Sequence, residues 1–400
     1  MSLFSPIYFF QYLLKKEANQ FFISISIRSL ALGMILIFEP IYLYFYFGES
    51  LSLTLLFFGA IHGLFGILAV FGGKIMAKIG FDWAMLASHF FFFGYYLLLS
   101  LIYFSTLFVP LAIILKVIGM TLFWPSFHTN FARFSRDGYR GREVGKKNVA
   151  VVAPTVLSPV IGGFILASFG YPALFAAVLA VLLASGVPLF FNKEKHEIYT
   201  DSFKKAWQRI FKRENRKSSL AFASDAIELG INVYLWPLFM ALLAIDYISM
   251  GGITSFSIFV GALFTLYMGK VSDTARRPKL LNIGSLLTSI SWLLKYFVAT
   301  PFTAFLAQTF YKICRASASI PFQTFFYEKA ALKGSQADEF IIYREIVVNI
   351  SRFFSLFILA GVFLVFPKVN LSFILAAIIS LGFMFLNNSP KLSFKNLKII

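Results

Sequence analysis

Seven basic side chains lie inside long apolar runs: Arg28, Lys116, Lys295, Lys312, Arg315, Arg344 and Arg352. The carboxylates Glu39, Asp225 and Glu228 lie in such runs too. An ion held in hydrocarbon costs about 3 kcal/mol or more, so each needs a partner, water or a route to the interface. Asp225 and Glu228 are three residues apart and share a helical face. Two such carboxylates repel when both are ionised, which suits proton binding and makes them coupling candidates. Neutralisation of Arg28 and its neighbours is the competing reading. Lys312 and Arg315 also share a face, and with Lys116 they offer a cationic site to an anionic group. Glu39 and Lys116, however, lie at similar depth from the outer end, which favours their pairing and leaves Lys312 and Arg315 as the substrate candidates. Arg28 and Asp225 each lie about 10 Å from the cytoplasmic end of their runs. A salt bridge between them is expected near an inner gate, the alternative being that Arg28 snorkels to the interface.

Other polar residues carry less. His62 sits near mid-span, where a packed, hydrogen-bonded ring competes with a proton relay, and His89 and His128 read the same way. Lys295 is near enough to the outer end to snorkel. Arg344, Glu345 and Arg352 read as an anchor or gate at the cytoplasmic end of their run. Gly141–Lys147 lacks the glycine spacing of a phosphate loop. No nucleophile–base set or metal-spaced cluster appears, so no enzyme, catalytic residue, metal or cofactor is expected. The single cysteine, Cys314, excludes an internal disulfide.

The elements that position these ions follow from composition. Of 400 residues, 59% are hydrophobic and 14% charged, and the mean hydropathy is +0.78. Soluble domains carry about 25% charged residues. Apolar runs of about 20 residues, enough to cross about 30 Å of hydrocarbon, recur end to end. They are continuous, without the period-two alternation of a β-barrel. The expected fold is an all-α polytopic membrane protein of about twelve transmembrane helices in two pseudo-symmetric six-helix bundles. Residues 1–191 form the first bundle, 192–218 a cytoplasmic amphipathic linker, 219–388 the second bundle and 389–400 a basic tail.

Charge placement supports that count. Lys and Arg concentrate in the even-numbered connections and the two ends, whereas the odd-numbered connections hold only Lys368. Basic short loops stay inside, so both termini are expected in the cytoplasm and the chain in the plasma (inner) membrane. The net charge of +18 is then a topology signal, and nucleic acid is not an expected partner. No cleavable signal peptide is evident. The linker carries Phe203, Trp207, Ile210 and Phe211 at helical spacing amid Lys and Arg, which reads as a helix lying on the inner leaflet.

An internal repeat supports two like halves. Setting Pro40 against Pro237 also aligns Gly33 with Gly230 and puts Arg28 opposite Asp225. Setting Pro125 against Pro321 aligns Lys116 with Lys312, and nearly the same offset brings Gly73 onto Gly269. The repeat is parallel.

Met268–Lys279 (M-G-K-V-S-D-T-A-R-R-P-K) resembles the loop motif G-x-L-A-D-R-x-G-R-R of the major facilitator superfamily. Gly269, Val271, Ser272, Asp273, Arg276 and Arg277 match it, with Ala275 in place of the second glycine. In the first half Gly73, Ile75, Lys78 and Gly80 fit, but Ala77 replaces the acid. Arg140–Gly145 is similar to the family's entry into the fifth helix. Ser158–Gly163 (S-P-V-I-G-G) resembles the G-P-x-x-G-G of family exporters. The resemblance implies a central cavity lined by the first, fourth, seventh and tenth helices, where Arg28, Glu39, Lys116, Asp225, Glu228, Lys312 and Arg315 fall. It also implies a gate in which Asp273 latches the cytoplasmic side toward the fifth helix. Arg276 and Arg277 of the same motif are further gate candidates, as is Arg28 by its depth.

The expected function is secondary transport of a small solute by alternating access, coupled to protons, leaning toward efflux. One alternative is proton-coupled uptake of an anionic metabolite; another is a non-transporting lipid flippase or membrane sensor. The expected partners are the lipid bilayer, a small-molecule substrate and protons, and the expected state is a monomer.

Overall fold

The computed structural model describes residues 17–134, 140–191, 199, 201–274, 277–332 and 337–388. They are almost wholly helical, with no strand among them, and form twelve membrane-scale helices. In the first half α1 runs as two segments, Glu17–Ile35 and Glu39–Tyr46; α2 is Leu51–Ile79, α3 Phe81–Ser100 and α4 Phe108–Phe134. The next helix, Arg140–Gly186, divides at Gly170, whose φ of +77° only glycine adopts freely. The division gives α5 (140–169) and α6 (171–186). In the second half α7 comprises Arg216–Gly230, a π-helical turn Ile231–Leu235 and Trp236–Leu242. Then come α8 (Tyr247–Thr274), α9 (Arg277–Tyr296), α10 (Pro301–Leu332), α11 (Ala337–Val365) and α12 (Leu371–Ser380, extended by the 3-10 turns Leu381–Asn388).

Eight helical stretches are long and apolar enough to span a bilayer by length and hydropathy alone, α5 and α6 counting as one. Helices α9 and α10 fall outside that set, and both carry buried or half-buried cations: Lys295, Lys312 and Arg315.

The repeat is visible in the backbone. Pro40 and Pro237 each open the outer segment of a broken helix, α1 in the first half and α7 in the second. Proline lacks an amide hydrogen and its ring displaces the carbonyl four residues back. The break at 36–38 and the π-helical turn at Ile231–Leu235 sit directly before these two residues.

The halves meet along two helix pairs. Helix α2 packs against α11 along its length, with Gly63 facing Phe353, Gly66 facing Ile350 and Gly73 facing Ile342. The Ser52 hydroxyl donates to the Ala360 carbonyl at 2.8 Å. Helix α5 packs on α8, where a Cβ at Gly163 would lie 2.4 Å from the Tyr247 carbonyl and one at Gly251 would lie 2.5 Å from that of Pro159. In lipid, helices associate through such backbone approach. Gly162 plays the same part against α1, since a Cβ there would lie 2.0 Å from the Met34 carbonyl. Gly162 and Gly163 of the Ser158–Gly163 segment are thus used for close helix packing.

The linker forms the helix Phe203–Phe211, N-capped by Ser202. Phe203 and Phe211 stay exposed while Ala206 is buried.

Candidate functional site

A cavity of about 400 Å³ lies between the halves. Helix α1 supplies Arg28 and Glu39, α2 His62, α3 Phe92 and Tyr96, and α4 Lys116, Trp124 and His128. From the second half, α7 supplies Tyr234 and α11 supplies Arg344, Glu345, Asn349 and Arg352. No α10 residue lines it. This corrects the expectation that the tenth helix contributes, and α2, α3 and α11 take its place.

Glu39 is 4% exposed and accepts hydrogen bonds from Tyr95 Oη at 2.5 Å and Tyr96 Oη at 3.1 Å. Lys116 Nζ lies 3.8 Å from Glu39 Oε1, and 4.1 Å from the Tyr95 ring centroid. The depth-matched pair is therefore present, in the cavity wall.

Arg28 and Asp225 do not pair. The Arg28 guanidinium lies over the ring of Phe123, 3.6 Å from its centroid, and 4.7 Å from that of Phe92. Asp225 instead accepts a charge-assisted hydrogen bond from Arg315 Nη2. The sequence repeat puts Arg28 and Asp225 at one depth, but α7 turns its carboxylates toward α10 of its own half, away from α1. Snorkelling is equally absent, because Arg28 is 7% exposed.

Arg315 also donates from Nε to Glu228 Oε2 at 3.1 Å. Glu228 Oε1 accepts from Trp292 Nε1 and from Tyr311 Oη, each at 2.8 Å. Asp225 and Glu228 thus share one guanidinium, which supplies their counter-charge within the second bundle. Lys312 packs where α10 approaches α8, its Cβ 2.9 Å from the Cβ position at Gly261. Asp225, Glu228, Lys312 and Arg315 all lie off the cavity wall, so the structure does not bring the expected substrate pair to the cavity.

Lys295 does not snorkel. It is fully buried, with Nζ 3.8, 4.1 and 4.2 Å from the ring centroids of Tyr311, Trp292 and Trp236. Asn232 Oδ1 accepts from it at 3.3 Å. Aromatic faces attract a desolvated cation, which is how an ammonium stays inside this bundle.

Of the gate residues, Arg277 donates to Glu328 on α10 and, at 3.1 Å, to the Ser272 carbonyl, all within its own half. Arg276 and the side chain of Asp273 lie outside the described residues, as do Arg140–Gly145 side chains and both chain ends.

Contacts between the halves lie near the cavity. The Phe38 ring, at the break in α1, meets Tyr247 of α8 edge-on at 5.9 Å. His128, in the cavity wall, places Nδ1 3.0 Å from Tyr327 Oη and Nε2 3.6 Å from Glu345 Oε1. Arg344, Glu345 and Arg352, expected as an anchor or gate, lie on α11 and line the cavity. Their i, i+1, i+8 spacing is visible in the sequence, but which side faces the other half is a matter of packing.

The family model of the Major Facilitator Superfamily matches residues 21–337. The chain belongs to that superfamily. Among solved structures, it is similar to the E. coli fucose:proton symporter FucP, with 14% identity over 92% of this chain and 97% of that one at TM-score 0.65. FucP in an outward conformation aligns at 13% identity, 94% and 98% coverage and TM-score 0.67. The human organic anion transporter MFSD10 (TETRAN) aligns at 12% identity, 94% and 99% coverage and TM-score 0.68. At such identities these likenesses speak for the fold. A comparison with curated proteins gives no match. Superfamily members are secondary transporters, and the twelve helices of this chain fit that architecture.

Proposed function

We propose that this superfamily member moves a small solute by alternating access through the cavity between its halves and couples the movement to protons at Glu39. The observation that carries the reading is the cavity wall itself: it draws ionic residues from both halves, and the cross-half approach of His128 to Glu345 lies within it. Rocking of one bundle against the other would remake such contacts.

Glu39 is favoured over Asp225 and Glu228 for geometric reasons. A proton arriving at Glu39 removes the charge that holds Lys116 and is delivered from the cavity itself. A proton on Asp225 or Glu228 would strand Arg315 inside the second bundle. The basic even-numbered connections support a plasma (inner) membrane orientation with both ends in the cytoplasm.

The test is flux in proteoliposomes containing the full chain, with an internal pH dye and a panel of labelled sugars, amino acids, carboxylates and amines. Some solute should accumulate against its gradient when a proton gradient is imposed, and the sign of the driving gradient reads the direction. Glu39→Gln should retain solute exchange and lose proton-driven accumulation. Accumulation that persists in Glu39→Gln would remove the coupling role, and absence of flux for every solute that binds would point to a sensor.

A further inference from the structure

The cavity wall carries more positive charge than its own carboxylates neutralise. Arg28, Lys116, Arg344 and Arg352 line it, against Glu39 and Glu345. Lys116 is 3.8 Å from Glu39, and Arg344 Nη1 donates to Glu345 Oε1 at 2.7 Å. That uses both acids. Among the described residues no carboxylate pairs with Arg28 or with Arg352.

The two remaining guanidiniums come from opposite halves, Arg28 from α1 and Arg352 from α11. Arg28 is 7% exposed, its plane covered by Phe92 and Phe123, and its buried Nε has no acceptor. Arg352 donates its Nε to the Ala226 carbonyl at 3.1 Å, which supports the group without neutralising it. Guanidiniums without a salt-bridge partner are costly inside a bilayer-spanning bundle, and Arg28 is buried while Arg352 is half-buried. Their donor forks fit planar or tetrahedral oxyanions in bidentate fashion.

We infer that the transported solute is a small organic anion whose oxyanion group is held between Arg28 and Arg352, with its apolar body against Phe58, Phe65 and Trp124. The volume of about 400 Å³ falls in the range of small-molecule sites. An anion bound by both residues would join the two halves across the cavity. The inference rests on the transport reading of the same cavity, and it moves the anion site away from Lys312 and Arg315.

The test is ligand-induced thermal stabilisation of the purified full chain. The probes are monocarboxylates, dicarboxylates, phosphomonoesters and arylsulfonates, each beside its neutral amide or alcohol counterpart, plus quaternary amines. At least one anion class should stabilise the protein while its neutral counterpart does not, and the class that does so separates carboxylate from phosphate or sulfonate heads. Arg28→Gln and Arg352→Gln should each weaken that binding roughly tenfold. Arg28→Lys and Arg352→Lys, which keep the charge and lose the fork, should fall between. Lys368→Gln, an exposed loop cation, should match wild type.

A second readout needs no ligand. With Cys314→Ala and Met120→Cys, the cavity thiol should react faster with a sulfonate methanethiosulfonate reagent than with its trimethylammonium analogue. That preference should collapse in Arg28→Gln and Arg352→Gln. Stabilisation by neutral or cationic probes alone, no stabilisation by any anion at millimolar concentration, or a reagent preference at or below one would overturn the inference. Anion binding without gradient-driven flux would leave the anion site standing and remove the transport reading instead.

Discussion

His62 Nδ1 lies 2.7 Å from Asn349 Oδ1, a contact that joins α2 of the first half to α11 of the second. The Asn349 amide nitrogen donates to the Glu345 carbonyl at 2.9 Å, which turns its oxygen toward the histidine. His62 therefore donates from Nδ1, and its Nε2 accepts from Tyr234 Oη at 2.8 Å. Both ring nitrogens are satisfied in one neutral tautomer, with both partners across the interface.

Removing that ring strands the buried Asn349 amide oxygen and the half-buried Tyr234 hydroxyl. His62→Ala and Asn349→Ala should each lower stability by about 1–3 kcal/mol. Because the residues touch, the double variant should cost about 1 kcal/mol or more less than the sum of the singles. Thermal melting of the three variants measures the coupling, and strict additivity would contradict a direct contact.

Two neighbouring glycines should behave differently. A Cβ at Gly251 would lie 2.5 Å from the Pro159 carbonyl and 3.0 Å from Val160 Cα, both backbone atoms. At Gly252 nothing lies within 4 Å. Gly251→Ala should force α5 and α8 apart and cost about 1–3 kcal/mol, also lengthening the 3.0 Å bond from Val160 N to Ser255 Oγ. Outer-side labelling of the cavity thiol at Met120→Cys should rise in Gly251→Ala and stay at the parent rate in Gly252→Ala. Equal labelling in the two would refute the close approach.

Arg315 is expected to matter for folding before it matters for transport. Its removal leaves Asp225 and the fully buried Glu228 without their shared cation. Breaking a buried ion pair from one side costs about 3–5 kcal/mol. Arg315→Gln should therefore melt well below wild type, and adding Glu228→Gln should recover part of the loss. A wild-type melting temperature for Arg315→Gln would sink the counter-charge role.

The linker helix carries a pH dependence outside the membrane. Burial presses the Asp201 carboxyl upward, but hydrogen bonds from Arg209 and Lys205 outweigh it and hold the group below its ordinary 3.8. A depressed acid stabilises the folded form above that ordinary value and loses the contribution as pH falls through the lower folded value. Amide exchange across Phe203–Phe211 should be protected at neutral pH and deprotected by acid below about 3.8. Asp201→Asn should reduce protection by roughly tenfold at neutral pH. Unchanged protection in that variant would mean that Asp201 does not anchor the helix.

The class, the helix count and the parallel repeat are legible along the chain. These follow from quantities that act locally: hydropathy over about 20 residues, positive charge beside span ends, and prolines that break helices at Pro40 and Pro237. Depth along a span is local too, which is why Glu39 and Lys116 were legible as neighbours. Which way a helix face turns was decided only in the fold. Arg28 and Asp225 share a depth, yet α7 packs its acids on Arg315 while α1 lays Arg28 on Phe92 and Phe123. Lys295 stands near a span end, yet three rings enclose it because α7, α9 and α10 converge there. Rotation about a helix axis is fixed by contacts such as Gly63 against Phe353 and Gly163 against Tyr247, which join residues far apart in the chain. Through those rotations α11, with Arg344, Glu345, Asn349 and Arg352, rather than α10, became a wall of the cavity.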